Sequence, residues 1–153
     1  MAFTQAAGKV SCLRDYNFLP DFLLLQSHIG LTLSPCFGDT CHRSITGMLY
    51  VLTGADRLPH DFVETCAAFL PPWRLGQVMQ FRFQGDRNMS AAAYLLLVHA
   101  LRHEGYFHAL PDFAWSPAGK PRMINYPGLH FSLSHCRGAV ACLLSATEAG
   151  IDI

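Results

Sequence analysis

The stretch Leu129-His130-Phe131-Ser132-Leu133-Ser134-His135, joined through the turn Cys136-Arg137-Gly138 to Ala139-Val140-Ala141-Cys142-Leu143-Leu144-Ser145, decides the fold. Phe131 and Leu133 alternate with Ser132 and Ser134, so one face of a short strand is apolar and the other bears hydroxyls. The second run lacks that alternation and reads as a more deeply buried strand. Glu148-Ala149-Gly150 then turns the chain into a third strand, Ile151-Asp152-Ile153, with an acid between two isoleucines. The expected product is an antiparallel meander. Ser134 and His135 stand at one strand end, and Asp152 projects from the face opposite Ile151 and Ile153.

Working back from the meander, the spacing of Met89, Ala92, Ala93, Leu96, Leu97, Ala100 and Leu101 predicts a long amphipathic helix over Asp86–Glu104. Gly105 stands where a left-handed residue closes a helix. Trp73–Met79, opened by Pro72, reads as a short helix whose Trp73 is a packing residue. Pro59 suits the first turn of another helix running toward Leu70. Leu49-Tyr50-Val51-Leu52 reads as an opening strand and Phe113-Ala114-Trp115-Ser116 as an edge segment. A long helix matched to a small, mainly antiparallel sheet defines an α+β lobe over residues 48–153.

The chain has 153 residues and a formal net charge of zero, which removes the electrostatic case for nucleic acid or an anionic membrane as a main partner. Charged residues make up 14% against about 25% in typical soluble proteins, and 51% are apolar. Such a shortage of solvated surface suits a lobe separated from a partner lobe. No apolar run approaches the roughly 18 residues that a membrane-spanning helix needs.

The six cysteines show no paired framework and, with no signal peptide evident, read as reduced thiols in a cytoplasmic protein. Cys36-Phe37-Gly38-Asp39-Thr40-Cys41-His42 lacks a second ligand pair at zinc-like spacing and reads as a loop. His99, His103 and His108 lack a placed third ligand and read as surface histidines. Residues 1–47 carry no sustained period and are punctuated by Gly8, Pro20, Gly30, Pro35, Gly38 and Gly47. They are expected to be an N-terminal extension that the lobe does not need.

In order, Gly119-Lys120-Pro121, then Phe131-Ser132-Leu133-Ser134-His135, then Gly150-Ile151-Asp152-Ile153 resemble the signature of the 4'-phosphopantetheinyl transferases. The match is to the large two-lobed group that acts on acyl and peptidyl carrier proteins. The family pattern is Gly-Lys-Pro, Phe-x-x-Ser-His and Gly-Ile/Val-Asp-Ile/Val-Glu. The resemblance covers residues 48–153 and implies the N-terminal lobe of such an enzyme, pseudo-dimeric with a C-terminal lobe that this chain does not include. The family's second acid and its Trp-x-x-Lys-Glu segment are absent here.

The resemblance implies coenzyme A as co-substrate, Mg2+ as cofactor, and a holo-carrier-protein synthase activity. In that reaction a carrier serine attacks the pantetheine-side phosphorus and adenosine 3',5'-bisphosphate leaves. Lys120, Pro121, Ser134 and His135 are implied at the coenzyme, and Asp152 at the metal, whose preference is for carboxylate and phosphate oxygens. The family carries a basic residue just before the position of Ser90, where this chain has Met89; Arg87 and Arg82 are the nearby substitutes. With one acid in place, the chain by itself is expected to bind coenzyme A weakly and to transfer nothing. A non-catalytic small binding or interaction domain that keeps the lobe fold is the alternative.

Overall fold

Period-two alternation and helical stripes place the elements close to where the sequence puts them. A computed structural model describes residues 9–10 and 47–153. The strands are β1 (Lys9–Val10), β2 (Met48–Thr53), β3 (Phe113–Trp115), β4 (Pro121–Met123), β5 (His130–Cys136) and β6 (Ala139–Ser145). The helices are α1 (Phe62–Cys66), α2 (Pro72–Met79) and α3 (Gln84–His103), with short 3-10 turns at Ala55–Arg57 and Ala67–Phe69. The architecture is α+β, with a four-stranded sheet in the order β1-β2-β6-β5 and a separate β3-β4 hairpin.

The unalternating apolar run 139–145 becomes the central strand, hydrogen-bonded to β2 on one edge and to β5 on the other. Tyr50 pairs with Cys142 and Leu52 with Val140 on one edge, and Leu133 pairs with Cys142 on the other. Val140, Cys142 and Leu144 are fully buried on the side that α3 covers. β1 runs parallel to Met48–Leu49, so a pair of residues from beyond the expected 47/48 boundary extends the sheet. The other expectations for residues 1–46, including the Cys36–His42 loop and the thiols of Cys12, Cys36 and Cys41, lie outside the described residues.

Helix α3 begins earlier than the periodicity indicates and is buried on nearly every side, not along a stripe: every residue from Ala91 to Val98 is shielded. The sheet covers one face. Trp73 of α2 and Phe113 of β3 cover the other, meeting Tyr94 with ring centroids 6.0 Å away in each case. Gly105 ends the helix at φ 75°, as expected.

Four local expectations need correction. The helix from Pro59 to Leu70 is broken into α1 and a 3-10 turn, and Pro59 stays outside it. Its carbonyl is committed to the Phe62 amide at 3.1 Å and to Asn88 Nδ2 at 2.9 Å. The third meander strand does not join the sheet, since β6 already has β2 and β5 on its edges. Residues 151–153 instead run alongside β5 in the same direction, with the Ile151 and Ile153 amides donating to Ser132 Oγ and Ser134 Oγ at 3.2 Å each. β5 also continues to Cys136, so the turn starts one residue later than expected, with Ser134 and His135 among the last three residues of the strand.

The histidines are the fourth case. His99 and His103 are not surface residues but flank buried Tyr50, with ring centroids at 6.1 and 5.7 Å. The Tyr50 hydroxyl bonds Glu104 and lies 2.9 Å from His103 Nδ1. Burial, with the His103 and Arg102 charges adding to it, pulls the His99 imidazole down to about 4. His108 is exposed, packed on Tyr126.

Among the described residues no helix is long and apolar enough to cross a membrane. Cys66, Cys136 and Cys142 are free thiols, and burial pushes Cys66 up to about 12 and Cys142 further in the same direction. Neither buried thiol is then a nucleophile near neutral pH.

Candidate functional site

The start of α3 and the turn after β5 converge. Phe83 enters the helix with extended backbone and offers no side-chain cap. The first helical bond runs from the Arg87 amide to the Phe83 carbonyl at 3.2 Å. The amides of Gln84, Gly85 and Asp86 therefore have no acceptor within the helix and carry its positive dipole end. Opposite them, the β5–β6 turn presents His135, Cys136 and Arg137. Between the two lies a cleft of about 680 Å³, closed at one side by Ala55, Asp56, Leu58 and His60.

Local chemistry fixes both walls. Asn88, only 4% exposed, donates to the Pro59 carbonyl and accepts from Gln84 Nε2 at 3.0 Å, which pins the start of α3 to the loop ahead of α1. Gly138 turns the chain at φ 89°, and a side chain there would meet Asp56 Oδ1 at 3.1 Å. The Ala55 amide donates to the Gly138 carbonyl at 3.0 Å, which ties the turn to the 3-10 segment. The cleft thus combines free helix N–H groups, an imidazole and a guanidinium with the carboxylates of Asp56 and Asp86. Anionic oxygens are favoured at its α3 end.

The structure divides the sequence-derived residues among three places. His135 is exposed in this cleft, and Met89, the position at which the resemblance implies a cation, lines it without a charge. Arg87 is not among the lining residues; its Nε donates to the Phe81 carbonyl at 2.8 Å. Lys120 and Pro121 line a second, smaller cleft of about 220 Å³ with Arg74, Trp115 and Ser132. Gly119, at φ 80°, makes the turn that presents them. The Gly119 amide bonds the Ser116 carbonyl at 2.8 Å, and the Lys120 amide bonds Ser116 Oγ at 3.0 Å. Lys120 is exposed.

Ser134 and Asp152 come together in the third place. Ser134 Oγ donates to Asp152 Oδ1 at 3.2 Å and accepts from the Ile153 amide. Adjacent strand residues point to opposite faces, so Ser134 and Asp152 lie on one side of β5 and His135 on the other. Among the described residues no group of three His, Cys, Asp or Glu side chains is arranged to hold a metal ion. Asp152 offers one exposed carboxylate. That fits a magnesium ion whose remaining ligands are water and substrate phosphate oxygens, not a protein cage.

Sequence reasoning missed Asn88, Asp56 and Arg74. Arg74 donates from Nη2 to the Ser90 carbonyl at 2.7 Å and to Ser90 Oγ at 3.0 Å, tying α2 to α3. Its guanidinium lies over the Tyr94 ring at 5.9 Å. Only the buried asparagine had a visible signal, as a polar residue one position before the apolar stripe. Compared with models of known protein families and with curated proteins, the chain matches none.

Proposed function

We propose that this chain is a lobe of a 4'-phosphopantetheinyl transferase, binding coenzyme A for transfer of its phosphopantetheine arm to the serine of an acyl or peptidyl carrier protein. One observation carries the reading: His135, Arg137 and the uncapped start of α3 surround a single cleft large enough for a nucleotide-sized ligand. The ordered elements Gly119-Lys120-Pro121, Phe131–His135 and Gly150–Ile153 also support it.

In this reading His135, Arg137 and the Gln84–Asp86 amides hold phosphate oxygens of the coenzyme. Lys120, on its glycine-closed turn, approaches as a mobile point charge. Asp152, positioned by Ser134, supplies a carboxylate to a magnesium ion, which when bound would neutralise charge on the diphosphate. Transfer of this kind depends on positioning and charge stabilisation. The base that takes the serine proton and further acids at the metal are not assigned among the described residues.

Isothermal titration of the chain with coenzyme A and with pantetheine, which lacks the phosphates, tests the reading. Coenzyme A is expected to bind at least ~10-fold more tightly, since each charge-assisted contact contributes ~1.5–3 kcal/mol. Millimolar magnesium is expected to strengthen coenzyme binding in the wild-type chain but not in Asp152→Ala. Equal affinity for the two ligands would remove the phosphate-binding role, and magnesium enhancement that survives Asp152→Ala would remove the aspartate from the metal.

A further inference from the structure

The segment between α2 and α3 exposes more apolar surface than any neighbouring stretch, next to the mouth of the large cleft. Met79 is 46% exposed, Phe81 44% and Phe83 64%. Scattered apolar residues on a surface are ordinary; three large exposed ones within residues 79–83 are a local concentration. Fixed backbone presents it. The Phe81 amide bonds the Val78 carbonyl at 3.3 Å, Arg87 Nε grips the Phe81 carbonyl, and the Arg87 amide grips that of Phe83. Arg82 lies over the Phe83 ring with its guanidinium carbon 5.4 Å from the centroid, so cation and aromatic face are offered together.

The next residues in the chain, Gln84, Gly85 and Asp86, already line the cleft. Whatever covers Phe81 and Phe83 is therefore held beside the bound coenzyme. Aromatic and arginine side chains are the types that dominate binding energy at interfaces, and a guanidinium stacked on an exposed ring selects a partner that brings carboxylates alongside apolar side chains.

We infer that Met79, Phe81, Arg82 and Phe83 form the docking surface for an acidic face of the carrier protein, seating its acceptor serine at the mouth of the cleft. The inference rests on the transferase reading. It adds a surface that none of the sequence motifs contains.

The test measures binding of a purified apo acyl carrier protein and, separately, of coenzyme A to the full chain and to its Phe83→Ala, Arg82→Glu and Phe83→Tyr variants. Carrier affinity is expected to fall at least ~10-fold in Phe83→Ala and in Arg82→Glu and to be kept in Phe83→Tyr. Coenzyme affinity should be unchanged in Phe83→Ala and Phe83→Tyr. Added salt should weaken carrier binding by the wild-type chain more than by Arg82→Glu. A carrier with acids of that face changed to lysine should bind Arg82→Glu better than it binds wild type. If coenzyme A binds but the carrier does not, or binds the variants equally well, the docking surface is overturned while the coenzyme reading stands. If the wild-type chain binds no coenzyme A, the transferase reading fails and the docking inference with it. Concentration-dependent self-association abolished by Phe83→Ala would assign the patch to a second copy of the chain and would equally overturn the inference.

Discussion

Leu97→Ala is expected to destabilise the chain by about 3–5 kcal/mol, a large part of the ~5–15 kcal/mol that holds a domain of this size together. Leu97 is fully shielded from solvent and sits in the middle of α3, where the helix is enclosed on nearly every side. A cavity there cannot be closed by moving one neighbour, because α2 and the hairpin pack on one flank of the helix and the sheet on another. Urea unfolding followed by circular dichroism should show the midpoint falling sharply with an unchanged slope. Leu97→Met, which conserves volume, should cost less than ~1.5 kcal/mol. A small loss in the alanine variant would mean that α3 is not the core the structure makes it.

His135→Glu combined with Arg137→Glu is expected to weaken coenzyme A binding by at least about 100-fold. Two contacts of ~1.5–3 kcal/mol are lost, and carboxylates face the phosphates in their place. Both side chains are exposed, and the turn between β5 and β6 is set by Gly138 and its bond to Ala55. Stability should therefore stay within about ±0.5 kcal/mol of wild type. Equilibrium dialysis gives the affinity, and a thermal melt shows that the fold is kept. Unchanged coenzyme binding in the folded double variant would place the ligand elsewhere.

Strands β5 and β6, helix α2 and the closing glycine of α3 could be read from the chain because local pattern and tertiary environment agree there. Ser132 and Ser134 were legible as a hydroxyl-bearing face, but not as the holders of a parallel-running strap. Their side chains do the work of backbone partners, and alternation says nothing about direction. Tyr50, His99 and His103 went wrong for a related reason. Histidines on a helix read as polar, and only the register of β2 against β6 shows that Tyr50 lies under them. The cleft itself had no linear signature. It is made by the start of one helix and a turn 50 residues later in the chain, joined through Asn88, Asp56 and Gly138, and none of these three belongs to a motif.

The phosphopantetheinyl reading of Gly119–Pro121, Phe131–His135 and Gly150–Ile153 depends on these elements serving one ligand. In the structure they occupy two clefts and a strap around the edge strand β5. A ligand confined to one cleft would leave some of them untouched.

Amide chemical-shift mapping of the isotope-labelled chain during titration with coenzyme A and magnesium tests this most directly. The account predicts saturable shifts at Gln84, Gly85, Asp86, His135 and Arg137, accompanied by Lys120 and Asp152, with the amides around Tyr50 and His99 unmoved. Shifts absent at the start of α3 and at His135, or concentrated around Tyr50 and His99, would contradict it.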